Sequence, residues 1–151
     1  MSRRLAVAVL SIGVCAGGSG TAEAKVFRGE TSAGRAASVV IGTDGLLRNA
    51  RITWRSRCRY GTVADKTAFV RPHDSSTPDS FADAGVYRRS DGTYRLRFTT
   101  RISGTRVFDA AHPARERWHG TFGMKVLVTR RGHYVDTCRL PRLRWTARLV
   151  P

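Results

Sequence analysis

One pattern in this chain repeats with chemistry attached to it: Arg-x-Thr-x-Arg. It occurs at Arg51, Thr53 and Arg55, again at Arg97, Thr99 and Arg101, and again at Arg144, Thr146 and Arg148. A guanidinium fork matches a carboxylate or phosphate through two parallel hydrogen bonds, and a threonine hydroxyl adds a neutral donor. The candidate polyanion-binding residues are therefore Arg51, Arg55, Arg97, Arg101, Arg144 and Arg148. The competing reading is a solvated strand face, on which Arg and Thr are ordinary residues.

Acid–base and metal chemistry are less well supported. The four histidines are His73, His112, His119 and His133. His112, Glu116 and His119 have ligand-capable spacing only on a helix, and Pro113 and Gly120 interrupt one there. His73-Asp74 falls in a polar stretch. An exported nuclease or hydrolase would draw on Glu116, His112, His119 and His133, but no spacing forces these together. No serine lies in a nucleophile elbow. No catalytic residue, metal site or cofactor is expected from the sequence.

The elements that must position the arginines read as strands. In residues 50–58, Ala50, Ile52, Trp54, Ser56 and Cys58 alternate with Arg51, Thr53, Arg55 and Arg57. Tyr94, Leu96, Phe98 and Ile102 alternate with Arg95, Arg97, Thr99 and Arg101. Trp118, Phe122, Met124, Val126 and Val128 share one face of a third run, and Leu143, Trp145, Ala147 and Leu149 share one face of a fourth. Period two is the mark of half-buried antiparallel strands. Asp44-Gly45, Asp91-Gly92 and Arg131-Gly132 supply hairpin turns between runs. Further strands are expected at Lys25–Thr31, 38–43, 66–70, 85–89, 105–109 and 133–138. Residues 72–78 read as a loop, and 109–117 as at most a short helical turn. The expected fold is all-β, a single antiparallel sandwich or partly closed barrel of eight or nine strands, with Trp54, Trp118 and Trp145 inside it.

The first 24 residues address the chain. Arg3 and Arg4 precede an apolar run, Leu5–Ala16, and Ala22-Glu23-Ala24 gives an A-x-A pattern before Lys25. That order reads as a secretory signal peptide cleaved after Ala24. The run is too short for a transmembrane helix, which needs about 20 residues. A lipid anchor at Cys15 is the alternative, although Val14 is a poor residue before a lipidated cysteine. Residues 25–151 then form one exported domain. Its two cysteines, Cys58 and Cys138, permit a single disulfide, expected to tie an early strand to the penultimate one. Closing a loop of 80 residues is worth about 4 kcal/mol in the chain-entropy description.

Charge sets the class of partner. The formal net charge is +16, and 24 of the 27 basic residues are Arg. Without Arg3, Arg4 and Glu23, 25 basic and ten acidic residues remain. A coding bias accounts for Arg over Lys but not for so few acids. An excess of that size attracts polyanions: nucleic acid, teichoic or uronic polymers, or an anionic membrane face. The alternative is a protein-binding module, such as a hydrolase inhibitor, acting through loops 72–81 and 109–117. Oligomeric state is open.

Phe27-Arg28-Gly29-Glu30-Thr31, the Trp54-x3-Cys58 strand, and Asp136-Thr137-Cys138 followed by Arg144-Trp145-Thr146-Ala147 resemble small exported all-β proteins of high-GC Gram-positive bacteria. The motifs are structural: turns, core tryptophans and paired cysteines. The resemblance implies fold and compartment and carries no catalytic residue.

Overall fold

A computed structural model describes residues 23–59, 61–70, 74–77 and 79–151. Residues 1–22, which hold most of the expected signal peptide and Cys15, lie outside them, as do His73 and the prolines at 72 and 78. Nine strands run in chain order: β1 (Lys25–Thr31), β2 (Ala36–Ile41), β3 (Leu47–Cys58), β4 (Gly61–Val70), β5 (Asp74–Thr77), β6 (Ser80–Asp91), β7 (Tyr94–Val107), β8 (Arg117–Arg130) and β9 (His133–Leu149). They form one antiparallel sheet in the order β4-β3-β2-β1-β9-β8-β7-β6-β5. Among the described residues a single 3₁₀ turn, Pro113–Arg115, lies between β7 and β8.

The sheet curls until opposite walls meet. Trp54 of β3 packs on Phe98 of β7 with ring centroids 5.8 Å apart, although five strand steps separate them along the sheet. Phe69 of β4 meets Phe122 of β8 at 6.5 Å. Phe81 of β6 packs on Trp118 and Trp145. All three tryptophans are fully buried, as their period predicts. Rings of this size dominate the burial energy of a small core. Gly104 and Gly120 make room for them: a Cβ on either would meet Trp145 Cζ2 at 2.9 and 2.7 Å.

Among the described residues two gaps remain in the wall, and side chains bridge each. Between β4 and β6, Thr67 Oγ1 accepts a hydrogen bond from Trp54 Nε1 (2.9 Å) and contacts the Tyr87 hydroxyl (3.2 Å). Arg89 pairs with Asp65 at 2.9 Å across the same seam. The second gap opens because β1 and β2 are short. β3 beyond Ile52 has no β2 neighbour, and β9 before Trp145 has no β1 neighbour. These free halves face each other over the β1–β2 turn. The Cys58–Cys138 disulfide joins them, with Cα atoms 5.3 Å apart. Asp136 Oδ2 accepts from the Arg59 backbone N–H at 2.7 Å. The turn itself docks on β9, where Ser32 N–H donates to the Arg144 carbonyl and Arg144 N–H to Ser32 Oγ.

Several expectations are corrected. Residues 94–107 form one strand, so 105–109 is not a separate element. β9 runs unbroken through Pro141, which is exposed beside a register shift. The disulfide therefore reaches the last strand, not the penultimate one. Residues 74–77 pair with β6 instead of forming a loop. β4 begins at Gly61, because the β3–β4 ladder continues down to Cys58 opposite Gly61. Period two sets Tyr134 on the same face as Cys138, but a register shift at Val128/Thr129 turns Tyr134 outward, 66% exposed, while Asp136 turns in.

Candidate functional site

Alternation places every arginine of the three repeated motifs on the outer face. Arg51, Arg55, Arg97, Arg101, Arg144 and Arg148 are all exposed, while Ile52, Trp54, Phe98, Trp145 and Ala147 are buried between them. The motif strands are not neighbours. β2 and β1 lie between β3 and β9, and β8 lies between β9 and β7. The three motifs thus build no continuous grid of their own.

What fills the intervening strands decides the surface. Along one register level, Arg51 of β3 faces Ser38 of β2, Ser38 faces Arg28 of β1, Arg28 faces Arg148 of β9, and Arg148 faces Arg117 of β8. Arg28 and Arg117 are exposed as well. A second cationic level links Arg88 to Arg97 across β6 and β7, and Lys125 faces Arg139 across β8 and β9. The alternation of β1 and β8 marks Arg28 and Arg117 as outward. Their alignment with Arg148 is set by long-range register, which no local pattern encodes.

Few of these cations have an anionic partner in the fold. Among the described residues, the arginines that pair with a carboxylate are Arg48, Arg89 and Arg106. Three shallow grooves mark the same outer face. One lies between Arg28 and Arg51 over Ala36, Ser38 and Thr53. Another lies between Arg101 and Arg142 over Ser103, Thr121 and Gly123. A third runs past Arg88, Arg95 and Arg97. In the first two, small side chains leave room beside guanidinium groups, while Leu96 and Leu127 line the third.

The acid–base candidates are scattered. Glu116 has no exposed side-chain surface and is held by Lys25 Nζ at 2.8 Å and by the Arg106 guanidinium. His112 pairs with Asp109 at 3.0 Å in an exposed loop. His119 lies on the outer face of β8 between Thr105 and Thr146, while His133 opens β9 at the opposite end of β8. Among the described residues, the one grouping of three potential metal ligands is Cys58, Asp136 and Cys138, and both sulfurs are committed to the disulfide. The 109–117 segment is exposed except for Asp109, which is half-buried, and Glu116. In the 72–81 segment Phe81 is core, so that end of the segment is part of the barrel. No helix among the described residues is long and apolar enough to cross a membrane.

No family model matches the chain, and neither a curated protein nor a solved structure matches it.

Proposed function

We propose that this is an exported, non-catalytic module that holds an anionic polymer at or near the cell envelope through its outer strand faces. The observation that carries the reading is a barrel wall studded with guanidinium groups of which only three find a carboxylate among the described residues. Like charges placed opposite one another on a sheet destabilise it. A surface of this kind is relieved by an anionic ligand, and released counterions drive the association. The N-terminal segment supports export, and the paired cysteines fit an oxidising compartment. Binding through exposed loops is the weaker reading, because the cationic excess is concentrated on strands.

The test is retention of the disulfide-intact protein on heparin and on whole cell-wall polymer across a salt gradient. Wild type is expected to elute at high salt, and Arg97→Glu with Arg144→Glu markedly earlier. Equal, weak elution of both proteins refutes the reading.

A further inference from the structure

We infer that the level Arg28–Arg148–Arg117 is a specific subsite for a linear polycarboxylate, a chain of uronic-acid sugars, with Arg51 extending it across Ser38. The inference rests on the polyanion reading above and narrows it to one place and one ligand class. Three arginines stand directly opposite one another on consecutive strands β1, β9 and β8. Strand spacing sets their step at about 4.8 Å. None of the three pairs with a carboxylate among the described residues. The acidic residue nearest to them in register is Glu30, one outward position along β1, opposite Thr146 and Ala36.

The step selects the ligand. A sugar unit in an extended uronic chain has a length close to the strand spacing and carries one carboxylate. Successive carboxylates then come into step with successive guanidinium forks, each offering two parallel donors. A polyol phosphate spaces its charges farther apart. A nucleic acid also brings bases, which seek aromatic faces. The outward strand residues flanking this level, among them Val26, Glu30, Thr53, His119, Thr146 and Val150, include no tryptophan, tyrosine or phenylalanine, and the imidazole of His119 beside Arg117 is a small ring on which to stack a base. Ser38, Thr53 and Thr146 instead offer hydroxyls, which suit the hydroxyls of a sugar. The groove between Arg28 and Arg51, floored by Ala36 and Ser38, gives the chain a bed on the side away from β9. The level also runs round a convex wall, which a flat bilayer cannot follow.

Binding of a tetragalacturonate probe to the purified, disulfide-intact protein tests the subsite, with oligothymidylate and inorganic polyphosphate as competing probes. Arg28→Gln with Arg148→Gln is compared with Arg97→Gln plus Arg101→Gln, which removes the same charge elsewhere. The first pair is expected to weaken tetragalacturonate binding about tenfold or more at about 100 mM salt, and the second less than about threefold. Arg148→Lys, which keeps charge and loses the fork, is expected to fall between. Thermal melting of each variant separates lost binding from lost fold, and Arg117→Gln alone supplies a milder variant. Equal weakening by the two pairs overturns the subsite but leaves a diffuse polyanion surface. Tighter binding of oligothymidylate or polyphosphate than of the uronate overturns the ligand class. No binding of any probe overturns the polyanion reading itself.

Discussion

A carboxylate with no exposed surface must be matched by cations or lose its charge. Glu116 is matched twice, by Lys25 from β1 and by Arg106 from the end of β7, and Arg106 also reaches Asp79. The cluster ties the first strand to the loop that precedes β8, and the Glu116 carbonyl accepts from Leu149 N–H of the last strand. Its position after a proline-bearing turn hides this role, since the sequence offers a polar segment and no sign of burial. Removing one partner from a buried pair leaves the others uncompensated, so Glu116→Gln is expected to cost about 3 kcal/mol of stability. Lys25→Met should cost about 1 kcal/mol or less, because the Lys25 side chain is 41% exposed and water screens it. Urea unfolding checks both. A Glu116→Gln protein as stable as wild type would mean that the cluster is not what anchors β1.

The barrel depends on two side-chain seams that, among the described residues, no backbone ladder closes. In the β4–β6 seam, burial pushes the Tyr87 phenol above its ordinary value of 10.0, and the hydrogen bond with Thr67 partly opposes that rise. Asp65 adds to the rise and Arg89 counters it. The folded state therefore favours the protonated phenol. Its contribution is complete below pH 10.0 and is lost as pH climbs through the higher folded value. Wild type is expected to lose more unfolding free energy than Tyr87→Phe between about pH 9 and about pH 11. Equal losses would show that the seam does not sense this ionisation. Element by element, what the sequence reveals is local. The period of two reveals β3, β7 and β8 and the inward tryptophans. Asp91-Gly92 and Arg131-Gly132 reveal their hairpins; in the second, Arg131 and Gly132 both take positive φ, of 49° and 85°. Two remaining cysteines suffice to identify the disulfide. Failures occur where tertiary context overrides a local breaker. Residues 133–138 and the run that ends at Leu149 read as separate strands, yet β9 runs unbroken between them beside a register shift, and residues 74–77 read as a loop, yet β6 offers them a pairing edge. The alignment of Arg28, Arg148 and Arg117 was illegible for the same reason. It follows from strand order, which joins residues about 120 positions apart in sequence.

At the scale of the whole molecule, the fold concentrates one sign of charge on the outside of a small closed wall. Apolar rings take most of the interior, so most polar strand residues lie on the outer faces, and those are mostly Arg and Thr. Such a surface repels itself, and salt screens that repulsion: the screening length falls from about 30 Å at 0.01 M to about 8 Å at 0.15 M. The free protein should therefore become more stable as salt rises, the reverse of a fold held by surface ion pairs. The effect should be strongest where arginines face one another directly. Arg148 faces Arg28 on one side and Arg117 on the other. Relief of two such like-charge contacts is worth about 0.2–1 kcal/mol each. Arg148→Gln is thus expected to raise the melting temperature at about 10 mM salt and to shrink the further gain on going to about 500 mM salt. Calorimetry at the two salt concentrations measures both effects. An Arg148→Gln protein less stable than wild type at low salt would mean that the guanidinium is held by contacts within the fold. The expected result, a residue that costs stability in the free protein, gives Arg148 a reason to be there only when an anion is bound.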